Sequence, residues 1–182
     1  MNILERFSLR GKVIVITGGT GILGKSFVKA IAEAGANVAI IGRNVEKGAE
    51  RVKLVETLGV EGIFVQADIM DENSMVAAKE EILSKWGTID GLVNAAGGNI
   101  PGATIGPNDD IFGGKIQDTM KAIELNLYGT IIPTLVLGKV IAEKGAGSIV
   151  NISSLAASRP LTRVLGYTVA KHGIDGFTKW MS

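Results

Sequence analysis

The sequence predicts an α/β fold, a doubly wound parallel sheet with helices on both faces, on three observations. Val13 to Ile16 form an uninterrupted β-branched run, which suits a strand buried on both faces. A glycine turn, with Gly18, Gly21 and Gly24, leads from that run into a segment where Ile22, Leu23, Phe27 and Ile31 recur at helical spacing. The alternation of short apolar runs with amphipathic segments then continues along the chain, and strands joined through helices give parallel sheets with right-handed crossovers.

Each later element has its own signals. Gly35 ends the first helix, and Asn37 to Ile41 is the second strand. Val45, Ala49, Val52 and Val55 then place one apolar face on a helix from Val45 to Leu58 that Gly59 closes. Gly62 to Val65 is a third strand leading to Asp68, and Asp71 is an N-cap for a helix that runs to about Trp86 and stops at Gly87. Gly91 to Val93 is the fourth strand. From Gly97 to Gly114 the chain carries six glycines and two prolines without periodicity, and loops of that length are functional or mobile. Lys115 to Lys144 is one long helical pattern, Ser148 to Ile152 a fifth strand, and Gly166 opens a last helix. Pro133 lacks an N–H and crowds the carbonyl of Gly129, so the long helix is expected to bend there.

Composition bounds the functional classes. A chain of 182 residues with 46% hydrophobic content buries one core, roughly 70% of its unfolded surface, so residues 1–182 are expected to form a single domain. The net charge of +1, without a basic run, argues against nucleic acid as a partner. The absence of cysteine removes disulfides and thiolate zinc sites, and one histidine builds no metal centre. No run reaches the ~18–20 continuous apolar residues of a membrane span. The N-terminal stretch, charged at Glu5, Arg6, Arg10 and Lys12, does not read as a signal peptide. A cytoplasmic protein is expected.

Chemistry concentrates at two places. In the glycine turn, Gly18, Gly21 and Gly24 remove side chains that would keep a diphosphate from the backbone N–H groups, and the helix behind offers about half a positive charge. Thr20 and Leu23 belong to the same candidate cradle. Gly42 ends strand two, where such folds place an acid on the adenosine ribose of NAD. With Gly42 and then Arg43 there instead, a 2′-phosphate meets a guanidinium, and NADP(H) is expected over NAD(H); the alternative is an Arg43 that stacks on adenine and discriminates little. Near the chain's end, Tyr167 and Lys171 stand i, i+4 on one helical face. Bringing a phenol from about 10 to about 7 needs about 4 kcal/mol, which an ammonium and a cationic nicotinamide supply together in a desolvated site. Ser153 and Ser154 follow strand five; one serves as a turn or cap residue and the other is free to donate to a substrate oxygen. His172 points off the Tyr167 face and reads as structural. Asn126, inside a helix, either has work elsewhere or lies on a solvated face.

As an ordered set these residues resemble the short-chain dehydrogenase/reductase family, single-domain branch. The likeness rests on Thr17-Gly18, Asp68, Asn94-Ala95-Ala96-Gly97, Asn126, Asn151-Ile152-Ser153-Ser154 and Tyr167-Thr168-Val169-Ala170-Lys171. It implies a Rossmann-like fold and reversible hydride transfer between NADP(H), or NAD(H), and a secondary alcohol or ketone. Tyr167 would be the acid/base, and Lys171 would tune it and hold the nicotinamide ribose. Ser154 would orient the substrate oxygen, since its distance before Tyr167 fits the family better than that of Ser153. Asn126 would hold a relay water, Asp68 and Ile69 the adenine, and Asn94 that end of the site. The resemblance also implies a homodimer or homotetramer paired through the last two long helices, where Leu135, Val136, Val140, Phe177 and Trp180 leave apolar surface.

Two departures qualify the likeness. Ile22 stands where the branch has its middle glycine, with Gly21 one earlier, a spacing nearer the extended branch of nucleotide-sugar epimerases and dehydratases. The family also continues beyond the equivalent of Ser182, and Thr178 to Ser182 carry no helix stop, so the fold is expected to be truncated before its sixth strand. Asn94 to Asn99, the long loop, and Ser158-Arg159-Pro160-Leu161-Thr162 look similar to mannonate/fructuronate (sugar-acid) reductases; Arg159 either pairs with a substrate carboxylate or is a surface residue before a turn. The alternatives are an extended-branch epimerase and a dinucleotide-binding sensor without catalysis.

Overall fold

The computed structural model describes residues 3–159 and 161–182; Pro160, part of the sugar-acid resemblance, and Met1 and Asn2 of the N-terminal stretch lie outside them. After a 3-10 turn (Ile3–Phe7) the elements are β1 (Val13–Thr17), α1 (Ile22–Glu33), β2 (Asn37–Gly42), α2 (Val45–Thr57), β3 (Gly62–Gln66), α3 (Glu72–Trp86) and β4 (Gly91–Asn94). They are followed by α4 (Ile116–Ile123), a π-helical turn (Glu124–Tyr128), α5 (Gly129–Glu143), β5 (Ser148–Asn151) and α6 (Leu165–Met181). The sheet order is β3-β2-β1-β4-β5. Strands β1, β2, β3 and β4 pair in parallel, with Thr17 opposite Ile41 on one side and Asn94 on the other.

The described residues gather into two compact units, 3–96 with 132–150 and 97–131 with 151–182. In the first, β1 and β4 are buried along their whole length, as the continuous β-branched run requires. The helices pack with a different phase from the one their large residues suggest. Ile22 is 93% exposed and Leu23 is exposed too; the face of α1 turned inward carries Gly24, Val28 and Ala32, with Phe27 and Ile31 at its margin. On α2, Val45 and Ala49 are likewise exposed, and Gly48 and Val55 are buried. The reason is proximity: a Cβ at Gly48 would lie 2.3 Å from the Phe64 ring of β3, so the helix approaches the sheet through its glycine. The capping signals hold, with Asp71 accepting from the Asn73 N–H and Gly87 closing α3 at φ 68°.

Lys115–Lys144, expected as one bent helix, is continuously helical from Ile116 to Glu143, with the π turn as an irregularity between α4 and α5. The irregularity precedes Pro133, which sits inside α5 without ending it. Ile116–Glu143 as a whole is long and apolar enough, by length and composition, to cross a membrane. Its polar residues Asn126, Thr130 and Thr134 are buried and hydrogen-bonded, as in the core helix of a globular domain.

At the N-terminal end of the sheet Asp90 locks three segments of the first unit together. Its carboxylate accepts from the Val13 N–H at 2.9 Å and from Lys12 at 3.4 Å, and it pairs with Lys144, which also reaches Thr88. Burial opposes ionisation of Asp90, but the bonds from Lys144, the Val13 N–H and Lys12 outweigh it and hold the carboxyl below its usual value. A depressed carboxyl contributes stability that is present above its unfolded value and is lost as pH falls through the folded one. Asp90→Asn is therefore expected to cost about 1–3 kcal/mol at pH 7. The gap in urea midpoints between parent and variant should begin to narrow as pH falls below the ordinary carboxyl value of about 4 and close only at still lower pH, once the depressed carboxyl of the folded parent is protonated; a constant gap would contradict the assignment.

Candidate active site

In the first unit, the turn after β1 is a backbone cradle. A Cβ at Gly24 would lie 2.1 Å from the Gly18 carbonyl oxygen, and one at Gly18, where φ is 68°, would lie 2.7 Å from the backbone of Ala96. The Gly18 N–H donates to Ile41 and that of Gly21 to Gly18, which fixes the turn's shape. Gly21 is the N-cap of α1 and brings no capping side chain, so the first-turn N–H groups, including that of Leu23, have no side-chain acceptor from it. Such an arrangement has room and backbone donors for a diphosphate.

The residues expected at an adenosine end lie at and after the ends of β2, β3 and β4. The Thr20 side chain fills the space beside Gly42, where a Cβ would lie 2.9 Å from its hydroxyl oxygen, and Arg43 is exposed. Asp68 is exposed and uses one carboxylate oxygen on the Met70 N–H, while Ile69 is buried, which directs its side chain into the core. Asn94 is buried and donates to Thr134 at 2.8 Å; the Thr17 hydroxyl accepts from the Ala95 and Ala96 N–H groups at 3.2 and 3.4 Å. Asn94 and Thr17 thus fix the strand ends from inside.

In the second unit, α6 carries the candidate acid/base. The Lys171 ammonium lies 5.4 Å from the centre of the Tyr167 ring and donates to the Ile152 carbonyl at 2.8 Å. Tyr167 is half-buried and Lys171 buried. Burial lowers the Lys171 pKa, and the negative charge of Asp175 opposes that shift. Ser154 is the cap residue of the short turn Leu155–Ala157; its oxygen accepts from the Ala156 N–H, which leaves its own O–H to donate. Ser153 donates to Asp175 at 2.5 Å. The His172 ring stands 3.0 Å from the Thr168 carbonyl and is exposed. Arg159 is exposed, and among the described residues no acidic group pairs with it.

Asn126 has work inside the protein, which settles the choice left open by its position. It is fully buried in the π turn, accepts from the Gly98 N–H at 3.0 Å, and donates to the Gly98 and Ala122 carbonyls at 2.9 and 2.8 Å. Gly97 has φ 145°, and a Cβ there would lie 2.6 Å from the Asn126 oxygen, so the start of the long loop is pinned to the helix. Both amide N–H bonds are used; a relay water would have to be held by an oxygen lone pair. Beyond Gly98 the loop and α4 enclose an open cavity of about 640 Å³, with Thr104, Asn108, Lys115, Thr119, Met120 and Leu165 in its wall. Sequence reading did not assign the Gly98 backbone or the Ile152 carbonyl as partners, because backbone groups carry no side-chain signal, nor the Thr134 hydroxyl, which lies 40 residues from Asn94 in the chain.

Gly24→Ala tests the cradle. In an ordinary helix this exchange is favourable by about 1 kcal/mol; here it should destabilise the protein and weaken dinucleotide binding by tenfold or more, read by thermal unfolding and tryptophan fluorescence.

The comparisons with known proteins identify the family. The family model for short chain dehydrogenases matches residues 12–182. An uncharacterized oxidoreductase, UxuB, of Bacillus subtilis (strain 168) is 36% identical over 183 residues, covering 96% of this chain and 66% of its own length. A crystal structure from Haemophilus influenza, described as a D-mannonate oxidoreductase with bound NAD, superposes with a TM-score of 0.90 at 30% identity, over 99% of this chain and 68% of that one. An NADPH-dependent 3-quinuclidinone reductase from Rhodotorula rubra does so at 0.87 and 27%, over 99% and 66%. The chain spans about two thirds of the length of these proteins. On the family model and these relatives, the chain belongs to the short-chain dehydrogenase family.

Proposed function

We propose that this protein transfers a hydride between a nicotinamide cofactor and a secondary alcohol or ketone, with sugar acids of the mannonate/fructuronate type as the substrate class. The observation that carries the reading is the Tyr167–Lys171 pair, a phenol and a buried ammonium on one face of α6, the latter anchored on the Ile152 carbonyl. The likeness to a protein described as a D-mannonate oxidoreductase supports the substrate class.

When bound, the cofactor supplies the hydride donor or acceptor. The Gly18–Gly24 cradle holds its diphosphate on backbone N–H groups, with Asp68, Ile69 and Asn94 shaping the adenosine end. In the reducing direction the Tyr167 hydroxyl hands its proton to the substrate's carbonyl oxygen as that oxygen becomes an alkoxide, and in the oxidising direction it takes the proton back. Ser154 donates its free O–H to the same oxygen and so orients the carbonyl. Lys171 places a positive charge beside the phenol and remains available to the nicotinamide ribose. Asn126 holds the loop start and, through an oxygen, the relay water. Arg159 is the candidate partner for a substrate carboxylate.

NADP(H) is the proposed cofactor, with NAD(H) as the alternative. An acidic side chain at position 42 would have to displace Thr20, and Arg43 offers a guanidinium where a 2′-phosphate would lie. NAD in the Haemophilus relative and NADPH in the Rhodotorula one leave both within the family's range. The proposed setting is the cytoplasm, and the proposed assembly a homodimer or homotetramer through α5 and α6, where Leu135 and Trp180 are exposed.

Oxidation of the reduced cofactor over a panel of sugar-acid ketones tests the activity. Tyr167→Phe should lower kcat by roughly three orders of magnitude and leave cofactor affinity nearly unchanged, since the ring still packs and only the proton donor is lost. Retention of activity within tenfold would sink the assignment. For the cofactor, kcat/KM should favour NADP(H) by ~1–3 kcal/mol, the range of a charged hydrogen bond. Arg43→Ala should erase that ratio; a parent that prefers NAD(H) would refute the argument from Gly42 and Arg43.

A further inference from the structure

Three consecutive residues at the end of β5 are tied to α6 by three different side chains. Asn151 donates to Thr178 at 2.9 Å, the Ile152 carbonyl receives Lys171 at 2.8 Å, and Ser153 donates to Asp175 at 2.5 Å. Lys171 and Asp175 stand i, i+4, so the carboxylate lies one turn beyond the ammonium on the face that also carries Tyr167. Among the described residues Asp175 makes no ion pair, and its one side-chain bond in this strap is to Ser153.

We propose that Asp175 is a positioning residue for the Tyr167–Lys171 pair: it receives the Ser153 hydroxyl, fixing the strand end to which Lys171 donates, and sets a negative charge one turn from that ammonium. Two physical consequences follow from one carboxylate. The Ile152 carbonyl, next in the chain to Ser153, is held at the distance Lys171 needs. The charge offsets the burial that drives the Lys171 ammonium toward its neutral form, and Asp175 is the group whose field raises it. Other ionisable groups on α6 and on the elements packed against it are arranged differently. Lys179 lies one turn beyond Asp175, Asp118 and Lys121 on α4 are paired with each other at 3.1 Å, and Glu124 and Tyr128 of the π turn are exposed. A Lys171 that stays protonated is the form that the proposed proton transfer requires, so this inference rests on the reading of Tyr167 and Lys171 as the reacting pair.

The test reads Lys171 directly, by NMR titration of the chain carrying lysine labelled at Cε, with Lys171→Arg assigning the signal. In Asp175→Asn, which still accepts the Ser153 hydroxyl but carries no charge, the Lys171 midpoint should fall further below the ordinary lysine value than in the parent. Asp175→Glu should restore it, and Ser153→Ala, which keeps the charge but loses the bond to the strand end, should shift it less than Asp175→Asn does. Turnover by Asp175→Asn should drop roughly tenfold at pH 9 and less at pH 7 as the ammonium is lost. If Asp175→Asn does not fold, Asp175→Ser, a smaller neutral acceptor, carries the same expectation. An unchanged Lys171 midpoint in the neutral variant overturns the inference. A shifted midpoint in a protein that turns over none of the sugar-acid ketones leaves the charge coupling standing and counts against the proposed reaction instead.

Discussion

The contact of Gly24 with the Gly18 carbonyl is the constraint on which the first unit depends. With 2.1 Å between that oxygen and the nearest position a Cβ could take, α1 reaches the turn only because residue 24 has no side chain. That contact fixes the rotation of α1 about its axis. Gly24, Val28 and Ala32 then face inward, while Ile22 and Leu23 are carried to the surface despite their hydrophobicity. The same rotation brings the uncapped start of α1 to the mouth of the turn, where backbone N–H groups and the helix dipole favour an anion. Packing and the proposed phosphate binding consequently depend on the same contact. A side chain at Gly24 would change both.

The second unit has an analogous dependence on a buried polar group. Asn126 satisfies the backbone of Gly98 in both directions and the carbonyl of Ala122, all from within a π turn, a geometry that recurs at functional sites because it redirects backbone groups. A fully buried amide with its N–H bonds matched rigidifies its surroundings, whereas a partly matched one would cost about 1–3 kcal/mol. On α6 the corresponding polar group is Lys171, whose burial lowers its pKa and is offset in part by the charge of Asp175, while its ammonium donates to the Ile152 carbonyl. Loop start, strand end and helix are each held by a side chain that also belongs to, or adjoins, the proposed chemistry.

What the sequence by itself determined was periodic or chemical in kind. Strand positions followed from β-branched runs, helix limits from Asp71, Gly35 and Gly87, and the family from an ordered set ending in Tyr167 and Lys171, since spacing along a chain survives folding. Tertiary structure decided what depends on approach in space. Glycines rather than large residues set the inner faces of α1 and α2, because a helix lies closest to a sheet where it has no side chain. It also set a π turn inside the long helix, placed Asn126 in the interior, and joined Ser153 to Asp175 across 22 residues. Those partners are backbone groups or distant side chains, and neither leaves a periodic trace in a single sequence.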